Sequence, residues 1–223
     1  MPAIKRTPAR PSRVQPRAVV RKTDPAEVFE TARRFLMRTD PRLVDVIKRT
    51  GRQRPNFGER DPFDALVSAV ISQQLSTKAA ATIRGRVLAL MPRLTPAALL
   101  AIPVPDLRTA GLSGQKAAYL RDLAERVIDG RLDLAHLETL TDDEVIEAIV
   151  AVKGFGRWTA QMFLMFSLHR QDILPTGDLG IVKGFQNVLE MKSRPSVRTM
   201  ERAAKVWQPY RSIASWYLWR TLE

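Results

Sequence analysis

Cysteine is missing from all 223 residues of this chain. Its absence excludes disulfide bonds, thiolate-bound metal ions and cysteine-ligated iron–sulfur clusters. Histidine is nearly missing too, and the two that occur, His136 and His169, do not favour a zinc site. No apolar run approaches the roughly 18–20 residues that a membrane span needs, and none follows the basic N-terminus as a signal peptide would require. We therefore expect no required cofactor, no membrane partner and no signal peptide.

Positive charge is the most pronounced feature of the composition, with a formal net charge of +13 and an isoelectric point of about 10.8. A field of this sign favours a polyanionic partner, most simply nucleic acid. Residues 1–23 concentrate the charge, because they hold seven basic residues, four prolines and no acidic residue. We predict that this basic tail is disordered. It is either a tether to nucleic acid or a solubilising extension.

The rest of the chain, residues 24–223, is predicted to be one all-α domain. No segment alternates apolar and polar residues for long enough to indicate a sheet. Helix starts are marked by Asp61 before a proline, by the capping box from Thr141 to Glu144, and by Ser196. The stretch 99–112 contains two prolines and a glycine, and is predicted to be short and turn-rich.

The segment VKGFGRWTA, residues 152–160, is predicted to be a glycine hairpin between two helices. One helix ends at Val150 and the next begins at Arg157, so only a tight turn fits between them. Gly154 and Gly156 are expected to adopt backbone angles that other residues avoid and to let a ligand approach the main chain. The free N–H groups that open the second helix then form a phosphate site. The alternative is an ordinary corner between two helices.

The segment LPTGDLG, residues 174–180, places Asp178 directly before an apolar helical pattern. The position predicts an N-cap, and a helix N-terminus favours an ionised carboxylate. Such an anion can stabilise positive charge that develops on a sugar when its bond to a base breaks, and can orient or deprotonate a water molecule. The alternative is that Asp178 only caps the helix.

Taken together, these motifs resemble the helix-hairpin-helix DNA glycosylase superfamily, in particular its 3-methyladenine DNA glycosylase II branch. The resemblance covers about residues 57–222 and includes FDALVSAVISQQLS, the hairpin, LPTGDLGI and the terminal WQPYRSIASWYLWR. It implies two helical lobes with an active-site cleft between them, a central lobe of about residues 59–168 and a second lobe of about 24–58 plus 169–223. Residues 24–56 are too few and too helix-like to supply the N-terminal β domain that some members carry.

The resemblance also implies roles for individual residues. Asp178 is the expected catalytic residue. Trp158 stands where strand-nicking relatives have a nucleophilic lysine, so the resemblance implies a monofunctional enzyme. The expected base pocket consists of Trp158, Trp219, Met162 and Trp216, although these aromatic residues are alternatively core residues. The residues expected to bind DNA are Lys153, Gly154, Phe155, Gly156, Arg157, Thr159, Gln74, Leu75, Ser76 and Lys116.

Three of these implied roles have their own alternatives. Leu75 resembles the side chain that fills the gap left by a flipped base, but a buried leucine at a helix end fits the same pattern. Lys116 follows Ser113, and capping of the next helix explains that segment as well as a phosphate contact does. The backbone carbonyls of Val150, Val152 and Phe155 are candidate ligands for a structural monovalent cation, as in the resembled relatives.

The sequence therefore predicts a monofunctional base-excision repair glycosylase for alkylated purines such as 3-methyladenine or 7-methylguanine. Its expected partner is double-stranded DNA with damaged bases, and we expect a monomer in the cytoplasm, associated with the nucleoid. Two alternatives stay open at this point. One is a glycosylase for a deaminated or mismatched base, and the other is a non-catalytic helix-hairpin-helix module that only binds DNA.

Overall fold

The computed structural model describes residues 24–55 and 61–223, so the predicted basic tail lies outside the described residues. All regular structure in the described ranges is helical, which confirms the predicted all-α class. None of these helices is long and apolar enough to cross a lipid bilayer. The α-helices of the described ranges are α1 (Pro25–Thr39), α2 (Val44–Thr50), α3 (Pro62–Ser72), α4 (Thr77–Leu88), α5 (Pro96–Ala101), α6 (Val104–Thr109), α7 (Gly114–Ile128), α8 (Asp142–Val150), α9 (Arg157–Phe166), α10 (Leu179–Val188), α11 (Val197–Ala204) and α12 (Arg211–Arg220).

Short polar side chains fix where most of these helices begin. Asp24 accepts a hydrogen bond from the N–H of Ala26 at 2.8 Å, so α1, the first helix of the described residues, is capped. Asp61 accepts bonds from two N–H groups of α3, as the sequence predicts. Thr141 forms the predicted capping box with Glu144 at the start of α8. Each cap satisfies a backbone donor that would otherwise lack a partner.

The segment 99–112 is more helical than the sequence predicts. α5 continues through Ala101, and α6 covers Val104–Thr109. Pro103 is the N-cap of α6 and Pro105 lies in its first turn. A proline costs little there because the N–H that it lacks would have no helical partner anyway. These prolines therefore start a helix, and the prediction of a turn-rich segment is wrong.

Buried apolar side chains form two clusters. The first comes from α3 to α9 and the residues that follow, from Phe63 to Ile173. The second comes from α1, α2 and α10 to α12, and includes Phe29, Phe185 and Trp207. Trp219, near the end of α12, is half-buried and packs against both clusters. Its side chain is therefore placed where the two apolar clusters meet.

Polar contacts fix α12 against the segment that leads from the first cluster to the second. Arg211 donates to both carboxylate oxygens of Asp172, at 2.7 and 2.9 Å. The hydroxyl of Ser212 donates to the carbonyl of Arg170 at 2.6 Å and accepts the N–H of Ile173 at 3.0 Å. Bidentate arginine–carboxylate pairs hold a defined orientation. The start of α12, and with it the position of Trp219, is thus set by contacts outside the helix itself.

Candidate active site

The predicted hairpin is present between α8 and α9. α8 ends at Val150 and α9 begins at Arg157, both at the predicted residues. Gly156 is the N-cap of α9 and has no side chain with which to cap it. The first N–H groups of α9 therefore have neither an intrahelical partner nor a side-chain cap. Lys153 and Arg157 flank this helix start with exposed side chains, so the local charge suits an anion.

The two hairpin glycines serve different purposes. Gly154 has φ +80°, in the left-handed region, as predicted. A side-chain carbon at this position would lie 2.1 Å from Cδ2 of Tyr119, so the main chain rests directly on the tyrosine ring. Gly156 has φ −119°, which any residue adopts, and a carbon added there would meet nothing within 4 Å. The predicted backbone requirement is therefore wrong for Gly156, which leaves only open space beside the helix start.

Side chains of α7 hold the hairpin from behind. Asp122, only 7% exposed, accepts the main-chain N–H of Lys153 at 2.9 Å. Its Oδ2 also accepts Nε of Arg126 at 2.9 Å. The pKa of Asp122 is lowered despite its burial, because these hydrogen bonds and the nearby cations favour the ionised form. The carboxylate thus anchors the residue that directly precedes Gly154.

Asp178 caps α10, and two indoles also hold its carboxylate. Oδ1 accepts the N–H of Ile181 at 2.9 Å, which confirms the predicted N-cap. The same oxygen accepts Nε1 of Trp219 at 2.8 Å, and Oδ2 accepts Nε1 of Trp158 at 2.9 Å. α9, α10 and α12 thus bring together three residues that lie far apart in the sequence. Trp158 is 47% exposed, so this carboxylate lies at an accessible surface.

Two glycines of α10 bring α12 close enough for the contact between Trp219 and Asp178. A side-chain carbon at Gly180 would lie 2.7 Å from Cδ1 of Trp219. A carbon at Gly184, one turn later, would lie 2.7 Å from the carbonyl oxygen of Leu218. Both distances are too short for any side chain, and Leu218 cannot move without its helix. The close approach of the two helices therefore depends on the absence of side chains here.

A cavity of about 400 Å³ opens between α3 and α9. Its walls include Met162, a predicted pocket residue, and Phe166, whose ring stacks on Trp219 at 6.0 Å between centroids. Thr159, predicted to contact DNA, is almost fully buried and also lines this cavity. On the α3 side the lining residues are mostly small. Through Phe166 the cavity lies next to Trp219, and its walls combine apolar atoms with hydroxyl groups.

Two other predicted site residues lie mainly in the core. Trp216 is 9% exposed in the second apolar cluster, where the ring of Phe29 meets it edge-on at 5.7 Å. These are the surroundings of a core residue, so Trp216 does not fit the predicted base pocket. Phe155 is buried in the first cluster, so only its main chain is available to a ligand at the hairpin.

The predicted DNA-contacting segment at Gln74, Leu75 and Ser76 forms the loop between α3 and α4. Gln74 has φ +57°, a left-handed conformation that is uncommon for a residue with a side chain. Leu75 is 39% exposed, so the alternative of a buried leucine is wrong. Ser76 caps α4 through the N–H of Ala79. The loop therefore presents an apolar side chain to solvent from a well-defined backbone.

The carbonyls predicted to hold a monovalent cation surround the same hairpin. Val150 is the last residue of α8, where helix carbonyls lack intrahelical partners, so its oxygen fits such a role. The carbonyl of Val152 accepts the N–H of Phe155 at 3.2 Å and keeps a second lone pair. A cation would stiffen the turn, and the assignment stays a prediction.

Comparison with known proteins now assigns the family. Residues 67–209 match the model of the HhH-GPD superfamily base excision DNA repair protein. The chain belongs to this family. The matched range contains the hairpin, Asp178 and the cavity residues of α9, whereas Trp219 lies beyond it. The superfamily resemblance drawn from the motifs is thereby confirmed.

Individual HhH-GPD relatives are similar over most of the chain. DNA-3-methyladenine glycosylase 1 of Schizosaccharomyces pombe is 34% identical over 182 residues, which cover 79% of this chain and 80% of the relative. The solved structure of a 3-methyladenine DNA glycosylase of that organism, in complex with abasic DNA, has a TM-score of 0.78 and 32% identity, covering 86% of this chain and 96% of the other. A DNA-3-methyladenine glycosidase of Bacillus halodurans has a TM-score of 0.74 and 39% identity, covering 84% and 86%.

Several residues that build this site are not predicted from the sequence. Asp122 and Tyr119 support the hairpin from α7, which lies about thirty residues upstream. Their sequence surroundings show only an amphipathic helix, so no local signal identifies them. Gly180 and Gly184 do carry a signal, because a glycine pair four residues apart on a helix commonly marks close approach of a second helix.

The contrast between the hairpin glycines predicts unequal costs for alanine. Gly154→Ala should lower the free energy of unfolding by about 1–3 kcal/mol, because it combines a left-handed backbone with a clash against Tyr119. Gly156→Ala meets no atom and only replaces an N-cap glycine by a poorer capping residue, so it should cost less, about 0.5–1 kcal/mol. Urea unfolding of both variants measures the difference. Equal stabilities would contradict the close packing at Gly154.

Proposed function

We propose that this chain is a monofunctional DNA base-excision repair glycosylase that releases alkylated purines, such as 3-methyladenine or 7-methylguanine, and leaves an abasic site. The observation that carries the proposal is the Asp178 carboxylate, held by two indoles, one of which stacks on a ring that lines a cavity, while the other follows a hairpin with open N–H groups. The similarity to relatives named for 3-methyladenine supports the substrate class. Its partner is double-stranded DNA that contains a damaged base, and we expect the chain to act as a monomer.

The hydrogen bonds to Asp178 favour one of its oxygens for the chemistry. Oδ1 accepts two bonds, from Ile181 and Trp219, whereas Oδ2 accepts one, from Trp158. Each carboxylate oxygen offers about two lone-pair positions. Oδ2 therefore keeps one position for a water molecule or for positive charge that develops on the sugar. The indoles fix the plane of the carboxylate, so that no reorientation is needed as that charge appears.

The reaction needs only groups of this chain and water. The bond between C1′ of the deoxyribose and the base nitrogen breaks, and its electron pair leaves with the base. Positive charge builds up on the sugar and is stabilised by Asp178. A water molecule adds to C1′ and gives up a proton, for which the carboxylate is the nearby acceptor. An alkylated purine is often cationic, so it leaves readily and stacks well on an indole face.

Replacing Asp178 with asparagine tests the catalytic assignment. Asp178→Asn keeps the side-chain shape but removes the negative charge, and should lower single-turnover base release by about 10²–10³-fold. Affinity for lesion DNA should change by only a few-fold. Release of free base from a panel of alkylated, deaminated and mismatched substrates measures both rate and substrate class. Near-normal excision by the variant would exclude Asp178 as the catalytic residue, and no release from any substrate by the parent would favour a DNA-binding module.

Phenylalanine substitutions separate hydrogen bonding by the indoles from stacking. Trp158→Phe keeps a flat aromatic ring but removes the N–H that bonds Oδ2, so the excision rate should fall by about 10-fold or more. Trp158→Ala loses both the N–H donor and the aromatic ring, so it is the matched comparison. Trp219→Phe and Trp219→Ala repeat the same test for the hydrogen bond to Oδ1. A Trp158→Phe enzyme as fast as the parent would mean that the indole acts only by stacking.

Borohydride trapping tests the monofunctional assignment. The position that would carry a lysine nucleophile holds Trp158, whose indole has no reactive amine. Borohydride added during base release should therefore give no covalent complex between protein and DNA. A stable adduct would contradict hydrolysis by water and would make Lys153 the first candidate nucleophile.

A further inference from the structure

Lys116 is half-buried, and its side chain reaches the C-terminal end of α3. Its ammonium group donates to the carbonyl of Ile71 at 2.8 Å and to the carbonyl of Gln73 at 2.7 Å. Ile71 lies in the last turn of α3 and Gln73 is its C-cap residue, and carbonyls at a helix end lack intrahelical partners. An ammonium has three N–H donors, and two are used here. Partial burial lowers the pKa of Lys116, which fits an ammonium withdrawn from water.

Gln73 continues this contact to the hairpin. Its carbonyl accepts from Lys116, and its side-chain Nε2 donates to the carbonyl of Gly154 at 3.0 Å. Gly154 in turn lies against the ring of Tyr119, which belongs to the same helix as Lys116. A closed set of contacts therefore joins α7, the end of α3 and the hairpin.

The loop that bears Leu75 begins inside this set of contacts. Gln74 follows Gln73 directly and has the left-handed φ of +57°. Such a conformation persists where neighbouring contacts hold it. Leu75 follows and is exposed. The position of Leu75 relative to the hairpin is thus set by Gln73, and Gln73 is held by Lys116.

We propose that Lys116 is a positioning residue that fixes Leu75 relative to the hairpin. Binding of the DNA backbone by the hairpin then places Leu75 at the base stack, and the two contacts form together. The proposal rests on the proposed function, because a wedge is needed only where a base is flipped out. Without Lys116 the loop between α3 and α4 would have to become ordered during binding. The cost of that ordering would reduce the affinity for DNA in which Leu75 enters the gap left by a base. Contacts to the backbone of undamaged DNA would be spared.

The experiment compares Lys116→Met with Lys153→Met. Methionine keeps most of the length of lysine but has no donor, and Lys153 is a matched control because its exposed side chain lies at the hairpin itself. The readouts are the Kd for an undamaged duplex at several salt concentrations, the Kd for the same duplex with a tetrahydrofuran abasic analogue, and the melting temperature. The analogue contains no base to release, so binding is read without excision.

Lys116→Met should weaken binding to the abasic duplex by about 10-fold while changing the Kd for undamaged DNA by less than about twofold. Lys153→Met should weaken both duplexes equally and flatten the salt dependence by about 0.9 in log–log slope, as expected for one phosphate contact. If Lys116→Met behaves like Lys153→Met, Lys116 is a phosphate contact and the proposal is wrong. If the abasic preference survives in Lys116→Met, the proposal is also wrong.

Gln73→Leu provides a second test should Lys116→Met fail to fold. It removes the bond to Gly154 but leaves the contact of Lys116 with α3 intact. It should lose abasic preference in the same way, and in a folded double variant the two losses should not add. Retained preference in Gln73→Leu would overturn the proposal. A parent protein with no preference for the abasic duplex would contradict the proposed function itself, which distinguishes the two failures.

Discussion

A partly buried carboxylate needs donors, and the three that Asp178 receives determine how this molecule is assembled. One comes from the main chain of its own helix, and the other two come from indoles on α9 and α12. An unpaired charge in this position would be costly. The bonds can form only if three helices meet within hydrogen-bond distance of one point. The close packing of α10 against α12 brings Trp219 to Asp178. The contact of Arg211 with Asp172 fixes the start of α12.

Charge places a second constraint on the site. Asp178 is an anion in a protein whose proposed ligand is a polyanion, so DNA must approach a negative group. The excess positive charge of the chain favours that approach at long range. Under the proposed function, the open N–H groups at the start of α9 would act at short range as donors for a phosphate near the carboxylate. They would favour the approach of the DNA backbone to Asp178.

The sequence predicts best what is decided locally. The helix starts at Asp61, Thr141, Ser196 and Asp178 follow from caps that reach only two or three residues along the chain. The hairpin follows from two glycines between helical patterns. The prolines of α6 were ambiguous because the same residue can end a helix or begin one.

What the sequence could not predict depends on contacts between distant segments. The orientation of Lys116 depends on carbonyls more than forty residues earlier, and in sequence it is indistinguishable from a surface lysine. The indole bonds to Asp178 span twenty and forty-one residues. Trp216 and Trp219 lie one turn apart on the same short helix, yet Trp216 is buried in the second cluster whereas Trp219 reaches the boundary of the two clusters and donates to Asp178.

The small residues that line the cavity from α3 affect which substitutions the cavity can accept. Ala65, Ala69 and Ser72 leave room that larger side chains could occupy, and the hydrogen bonds that hold Asp178 come from other helices. Gly180 and Gly184 offer no such freedom, because the chain of α12 already fills the space beside them. The shape of this cavity and the geometry of the Asp178 carboxylate are therefore controlled from different helices. Under the proposed function, with Asp178 as the catalytic residue and the cavity receiving the base, substitutions on α3 would change which bases are accepted while the chemistry stays the same.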